Sequence, residues 1–197
     1  MTYANELDRF MPRPDVRERH EGLIKAPATL VFDVAMQLDS QAIPLVRAIF
    51  WLRGKVMRST PVARKAQGLV AETMSLGWGV LSHRQGRELV MGAVTRPWEA
   101  DVTFRSVAAE QFAEFAEPDL VKIAWTLEAE PLGQVLTRFG TETRAVATDA
   151  VAKAKFMRYW RLARFGIVLI RWLMLPAIRR EAERLYREHA GLVARPY

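Results

Sequence analysis

The chain contains no cysteine among its 197 residues. This absence excludes disulfide bonds, thiolate zinc sites, iron–sulfur clusters and thiol nucleophiles. It is also typical of proteins in a reducing compartment, so we predict a cytoplasmic location. The first 16 residues have no apolar run and carry Glu6, Asp8 and Arg9, which excludes a secretory signal there. We expect residues 1–15 to form an extended leader, because Pro12 and Pro14 favour extended backbone.

Several motifs of catalysis and ligand binding are also missing. The sequence has no glycine-rich phosphate loop, no nucleophile elbow and no HExxH motif. Its three histidines, His20, His83 and His189, fall on different predicted elements, and no two have the spacing of metal ligands. We therefore predict no metal site and no cofactor.

Long hydrophobic runs are absent as well. The most apolar stretch, residues 165–178, is shorter than the ~20 residues that span a bilayer and includes Arg171, so it fits a buried or interfacial helix. The formal net charge is +7, with basic residues concentrated at 53–65 and 153–187. These clusters form solvated faces or attract an anionic surface. Nucleic acid is disfavoured as a partner, because no recognisable module interleaves the cations with aromatic residues.

Hydrophobic periodicity predicts the order of the secondary structure. Residues 16–24 alternate and lie between prolines, which is typical of a strand, and Pro27 then favours a helix start. Short helices follow at 28–38 and 44–50, and a third at 69–74 after a connecting segment. Strands are predicted at 78–84, 88–96, 101–107, 121–130 and 135–147, with a short helix at 108–118. A long helix runs over 149–189, where Asp149 caps it and Pro176 kinks or divides it.

This order of elements predicts an α+β fold in a single domain over residues 16–194. An antiparallel sheet with one apolar face needs a cover, and the last helix is the long apolar helix available. Its wide apolar surface fits a curved sheet that wraps around it, with a hollow between them. In residues 121–130 the odd-numbered side chains would face this helix, while the outward face toward solvent would carry Lys122, Thr126, Glu128 and Glu130.

Two segments resemble the START-like (SRPBCC) superfamily. Ile24-Lys25-Ala26-Pro27-Ala28-Thr29-Leu30-Val31-Phe32 resembles its first strand and helix, and residues 137–149, TRFGTETRAVATD, resemble its last strand leading into the final helix. The element order extends the resemblance over about residues 16–190. It implies a helix-grip fold whose cavity binds lipids, sterols, polyketides or other hydrophobic molecules, and some members are aromatase/cyclases. The insertion at 54–77 and the segment beyond Pro176 depart from the pattern and could reshape the cavity mouth.

Aromatic and aliphatic residues on the predicted inner surfaces are candidates to line such a cavity, although core packing would also explain them. The candidates from the sheet and from the last helix are Trp125, Leu127, Phe139, Phe156, Trp160 and Ile167.

Three charged residues share one face of the last strand. Arg138, Glu142 and Arg144 are either a solvated cross-strand ladder or an interior network that orients the polar head of a ligand. We include them among the candidate ligand-binding residues, with both interpretations open.

One polar pair is a candidate for catalysis. His20 and Glu18 share a face of the first strand and could act as an acid–base pair if that face is the concave one. The alternative is that they lie at a strand end and meet water or each other.

Three functions follow from these observations. The leading hypothesis is a protein that binds a hydrophobic small molecule. The alternatives are an enzyme of the polyketide cyclase or aromatase type, and a peripheral membrane or assembly protein that uses the arginine-rich helix at 158–187, with Trp172 and Leu173 inserting into anionic lipid. Homo-oligomerisation stays open.

Overall fold

A computed structural model describes residues 6–39, Lys55 and residues 68–193. In chain order the elements are α1 (Leu7–Phe10), β1 (Val16–Ile24), α2 (Ala28–Gln37), α3 (Leu69–Ser75), β2 (Gly79–Arg84), β3 (Glu88–Thr95), β4 (Phe104–Arg105), α4 (Ala109–Phe112), β5 (Val121–Pro131), β6 (Thr137–Ala147) and α5 (Ala150–Val193). Within these ranges, no helix is both long enough and apolar enough to cross a membrane. The predicted second helix at 44–50 and most of the 54–77 insertion lie outside the described residues.

The strands form a six-stranded, curved antiparallel sheet in the order β1-β6-β5-β3-β2, with β4 paired to β3. His20 of β1 lies opposite Thr141 of β6, and Trp125 of β5 lies opposite Thr143 of β6. Because side chains alternate along a strand, these four residues share one face of the sheet. We call it the helix face, since α2 and α5 pack on it, and we call the other the opposite face.

The turn after β1 forms as the sequence predicts. Pro27 caps α2 in extended conformation, with a φ of −60° and a ψ of 144°, and its ring removes an N–H that the first helical turn would leave unpaired. Thr137 Oγ1 donates a 2.7 Å hydrogen bond to the carbonyl of Ala26, which ties this turn to β6. Val31 and Phe32 of α2 are then buried against the sheet.

The helix α5 runs without interruption from Ala150 to Val193. Asp149 caps it as predicted, because its Oδ1 accepts a 2.7 Å hydrogen bond from the amide of Ala152. The expected division at Pro176 is wrong, since the helix continues through this residue. Packing on both sides of the proline holds the chain helical, because Leu175 and Ile178 both contact the core.

Two apolar clusters fix α5 to the helix face. Near its start, Phe156 and Trp160 pack with Val16, Val121 and Ala145. Near its end, Ile178 and Ala182 join a larger cluster on the sheet and α2, which includes Ile24, Phe32, Leu127, Ala129 and Phe139. The predicted α+β fold, with a long C-terminal helix on a curved antiparallel sheet, is confirmed.

The opposite face is also covered, which the sequence did not predict. Leu7, Phe10 and Met11 from the N-terminal segment and Phe112 from α4 pack on it. The expected extended leader is therefore wrong at residues 7–10, which form a helix whose Leu7 and Phe10 are buried.

The even-numbered residues of β5 differ from prediction for the same reason. Lys122 and Thr126 are buried rather than solvated. Lys122 Nζ donates hydrogen bonds to the carbonyls of Phe112 (3.3 Å) and Ala113 (2.7 Å). Burial lowers the pKa of Lys122.

We predict that docking of the N-terminal segment contributes measurably to stability. Leu7→Ala should lower the free energy of unfolding by about 2–3 kcal/mol, because a buried leucine side chain is removed. The matched control is Leu162→Ala, the same change at an exposed position, which should stay within ~0.5 kcal/mol of wild type. Urea unfolding measures both, and equal values for the two variants would contradict the docking.

Candidate functional site

A half-buried strip crosses the helix face between the two clusters that hold α5. It consists of residues from three neighbouring strands, β1, β6 and β5, that lie beside one another in register: Glu18, His20, Thr141, Thr143, Ile123 and Trp125. The residues at each end of the strip are fully packed, whereas these six are only partly covered. The sheet therefore has an incompletely filled region under the middle of α5.

The middle of α5 leaves this region open. Between residues 161 and 174 no described side chain is buried, although Trp160 before this stretch and Ile178 after it are. The stretch covers 14 residues, about 20 Å of helix. The helix is thus held by buried residues on either side of this stretch and is only partly covered within it.

A groove of about 710 Å³ opens between this part of α5 and the edge strand β1. Its lining is mostly apolar and comes from the helix, with one acidic residue from the strand: Glu18, Arg164, Phe165, Val168, Leu169 and Trp172. Glu18 belongs to both the strip and the groove, so the groove borders the strip at this residue. A volume of this order suits a small organic molecule.

His20 supplies an unpaired polar atom at this site. Its Nε2 atom is buried and has no hydrogen-bond partner among the described residues. An unpaired buried polar atom costs about 1–3 kcal/mol, which a ligand hydroxyl or carbonyl could recover. An imidazole nitrogen can donate or accept, depending on its tautomer.

The predicted lining residues divide between the strip and the clusters beside it. Trp125 lies in the strip, with its ring 6.5 Å from that of Trp78. Leu127 and Phe139 are buried in the cluster around Ile178. Phe156 and Trp160 form the other cluster, with ring centroids 5.9 Å apart. The side chain of Ile167 lies outside the described part of the chain. Of the predicted residues, Trp125 therefore lies within the strip, whereas the other four described ones pack in the clusters at its two ends.

The predicted charged residues lie on the opposite face of the sheet. Arg138, Glu142 and Arg144 alternate with Phe139, Thr141 and Thr143 along β6. They therefore cannot line the same space as Trp125. Arg138 is exposed and pairs with Glu130 at 2.7 Å, whereas Glu142 and Arg144 are buried. The solvated ladder is wrong for these two residues, and the interior network that does form faces the N-terminal segment.

Glu142 is the centre of this buried charge network. Its carboxylate accepts hydrogen bonds from Arg144 Nε at 2.6 Å and Arg19 Nη1 at 3.2 Å, and it pairs with Arg17 at 2.8 Å. Arg144 Nη1 also donates to Asp8 Oδ1 at 2.6 Å and to the carbonyl of Met11 at 2.7 Å. The network therefore ties the N-terminal segment to β6.

The electrostatics of the network follow from this pairing. Burial disfavours the ionised form of Glu142, but hydrogen bonds from Arg144 and Arg17 outweigh that effect and lower its pKa. Burial likewise opposes the charge on Arg144, and its bonds to Glu142 and Asp8 more than offset this and raise its pKa. Both groups stay ionised at neutral pH, which fits a structural role.

Sequence reasoning missed most of the groove residues. Phe165, Val168 and Leu169 recur at helical spacing, but on a side of α5 that a search for sheet-facing positions passes over. Thr141 and Thr143 could have been recognised, since they alternate with Glu142 and share the face of Phe139.

We predict an acid-sensitive contribution of Glu142 to stability. A lowered pKa means that its carboxylate stabilises the fold above the ordinary glutamate pKa, and that this contribution is lost as the pH falls below about 4. Glu142→Gln should lower the free energy of unfolding at neutral pH by about 3–5 kcal/mol, because the buried Arg144 loses the buried carboxylate that pairs with it. It should also weaken the dependence of stability on pH in the acid range.

The control for this variant is Glu130→Gln, which breaks the exposed pair with Arg138 and should cost less than about 1 kcal/mol. Urea unfolding across the acid range measures both. A Glu142→Gln protein with the pH profile of wild type would show that Glu142 does not carry this contribution.

Comparisons with known proteins identify no family model and no curated protein that matches the chain. Among solved structures, it is similar to a conserved protein from Geobacillus kaustophilus, with 11% identity, a TM-score of 0.39, and coverage of 84% of this chain and 96% of that one. It is also similar to the Zhui aromatase/cyclase from Streptomyces sp. R1128, with 14% identity, a TM-score of 0.33, and coverage of 86% and 94%. TM-scores below 0.5 do not assign this chain to the family of either protein.

Proposed function

We propose that this chain binds a hydrophobic small molecule that carries at least one polar group. The site is the half-buried strip together with the groove beside α5. The observation that supports this most directly is the uneven closure of α5, which is buried at Trp160 and at Ile178 but at no described side chain from 161 to 174. A helix that served only to cover the sheet would be expected to pack along its whole length.

Apolar contact would supply most of the affinity. Trp125 and Ile123 from the sheet and Val168 from the helix are only partly covered, so a ligand beside them would remove their remaining surface from water. Burial of apolar surface contributes about 25 cal/mol per Å². The groove volume of about 710 Å³ falls within the range of small-molecule sites.

Polar groups at one wall would orient the ligand. His20 Nε2 is buried without a partner in the described chain, and Thr141 lies directly across from His20 in the register. A hydroxyl or carbonyl on the ligand could bond to this nitrogen and repay its desolvation. These contacts favour a lipid-like or polyketide-like molecule with a polar end over a pure hydrocarbon.

A second candidate function is acid–base catalysis of the polyketide cyclase or aromatase type. His20 Nε2 favours it, because an imidazole nitrogen within hydrogen-bond reach of a bound ligand can donate or accept a proton. Glu18, two residues along the same strand face, lines the groove and is the second candidate acid or base. Both functions require the ligand in the same place, and they differ in whether His20 must transfer a proton.

We predict that filling the groove prevents binding. Val168→Trp should weaken binding of the apolar dye Nile red by at least about tenfold, equivalent to 1.4 kcal/mol, because the indole occupies the ligand space. Val151→Trp places the same side chain at an exposed position of α5 and should bind dye as wild type does. Melting temperatures of both variants check that the fold is retained. Equal dye affinity in the two variants would contradict the proposed site.

We predict that two His20 variants separate binding from catalysis. His20→Phe removes the hydrogen bond and should weaken a polar ligand about fivefold, since such a bond contributes about 1 kcal/mol. His20→Gln can still form that bond and should bind within about twofold of wild type. A binding protein follows this pattern, whereas an enzyme that uses His20 loses turnover in both variants.

Native mass spectrometry of the purified protein identifies the ligand to be used in this assay. Unchanged affinity in His20→Phe would show that Nε2 does not contact the ligand.

A further inference from the structure

The side of α5 that faces away from the sheet carries an exposed apolar stripe. Phe165 follows the buried Phe156 by nine residues, about two and a half helical turns, so the two side chains lie on opposite sides of the helix. Three further apolar residues follow or precede Phe165 at spacings of three and four residues and therefore lie on the same side of the helix. The exposed stripe consists of Leu162 (82% exposed), Phe165 (68%), Leu169 (40%) and Trp172 (71%). No described element covers it.

Arginines flank this stripe on the same side of the helix. Arg158 lies one turn before it and Arg161 directly before it, while Arg180 and Arg179, which pairs with Glu183 at 3.1 Å, lie two turns after it. Arg164 is adjacent, with its guanidinium 5.1 Å from the centre of the Phe165 ring. The outward surface of α5 is therefore an apolar patch about 15 Å long with cations at both ends.

The charge of this helix is one-sided. Residues 150–180 contain two lysines and six arginines but no aspartate or glutamate, a formal charge of +8 against +7 for the whole chain. Lys153 and Lys155 pair with Asp15 and Asp119, both at 2.6 Å. By contrast, Arg158 and Arg161 form no ion pair with any residue in the described ranges, and both are exposed. Their charge is available to a partner.

We propose that the exposed stripe and its flanking arginines dock on the surface of an anionic lipid bilayer. Leucine, phenylalanine and tryptophan side chains enter the boundary between headgroups and acyl chains, and tryptophan is favoured there. Arginine binds lipid phosphate through its planar fork of donors. A helix that presents both features along one side binds parallel to the membrane surface.

Charge complementarity selects lipid over a second copy of this chain. Two such helices placed stripe to stripe would bring Arg158 and Arg161 of both copies together, and neither arginine has an acidic partner in the described ranges to offset its charge. An anionic bilayer supplies both the negative charge and the apolar layer that the stripe needs. Docking would also bring lipid to the groove, because Phe165, Leu169 and Trp172 belong to both surfaces. The docking itself does not require that a ligand binds there.

Vesicle co-sedimentation tests this proposal. The protein should bind vesicles that contain phosphatidylglycerol, bind pure phosphatidylcholine vesicles far more weakly, and dissociate as salt is added. Arg158→Gln/Arg161→Gln should weaken binding about 30-fold, or about fivefold for each arginine. The matched control is Arg13→Gln/Arg87→Gln, which makes the same change in net charge at exposed arginines elsewhere and should stay near wild type.

The apolar contribution needs its own variant. Leu162→Ser should weaken vesicle binding about tenfold, because a leucine side chain no longer enters the lipid. Leu162 does not line the groove, so the affinity of this variant for Nile red should be unchanged. The two assays therefore distinguish a failure of ligand binding from a failure of membrane docking. Brominated lipid should quench tryptophan fluorescence in wild type, and Trp172→Phe should remove most of that quenching.

Three results would overturn the proposal. The first is binding that does not depend on anionic lipid or on salt. The second is an equal loss of binding in the Arg158/Arg161 variant and its control. The third is a dimer that sedimentation detects in the absence of lipid and that the Leu162→Ser substitution dissociates. Such a dimer would show that a second copy of the chain covers the stripe.

Discussion

The attachment of α5 at two separated points determines the rest of this structure. Phe156 and Trp160 hold one end of the helix and Ile178 and Ala182 hold the other, each within a buried apolar cluster. Because a helix is rigid, these two attachments fix the distance between the intervening stretch and the sheet, although no described side chain of that stretch is buried. The groove and the exposed stripe lie along that stretch and the half-buried strip lies on the sheet beneath it, so one constraint produces three features of functional interest.

The opposite face of the sheet explains why the helix face can stay incompletely packed. Glu142 and Arg144 are fully paired beneath the N-terminal segment, and Lys122 bonds to the carbonyls after α4. Buried charges are tolerated only with such pairing, and they fix the segments that supply their partners. Stability is therefore distributed over two layers on either side of the sheet, and the fold does not depend on close packing beneath the middle of α5.

The sequence predicted the secondary-structure elements better than it predicted which segments pack against them. Alternation in β1 and β5, Pro27 and Asp149 each act through local geometry, so the strand-to-helix turn, the main strands and the start of α5 could be identified directly. Period-two alternation says which residues share a face but not what covers that face. Alternation therefore left Glu142 undecided between a solvated ladder and an interior network, because its partner Arg144 is bound by Asp8, which lies 136 residues away in the chain. The groove was missed because it lies at the side of the helix, whereas periodicity indicates only the face toward the core.

Pro176 has a mechanical consequence for the space beside α5. A proline inside a helix has no amide hydrogen to offer the carbonyl four residues earlier, that of Trp172, and its ring crowds that turn. Pro176 lies where the partly covered stretch meets the anchored one, so the turn beside the groove depends on the packing of Leu175 and Ile178 rather than on a complete ladder of backbone hydrogen bonds.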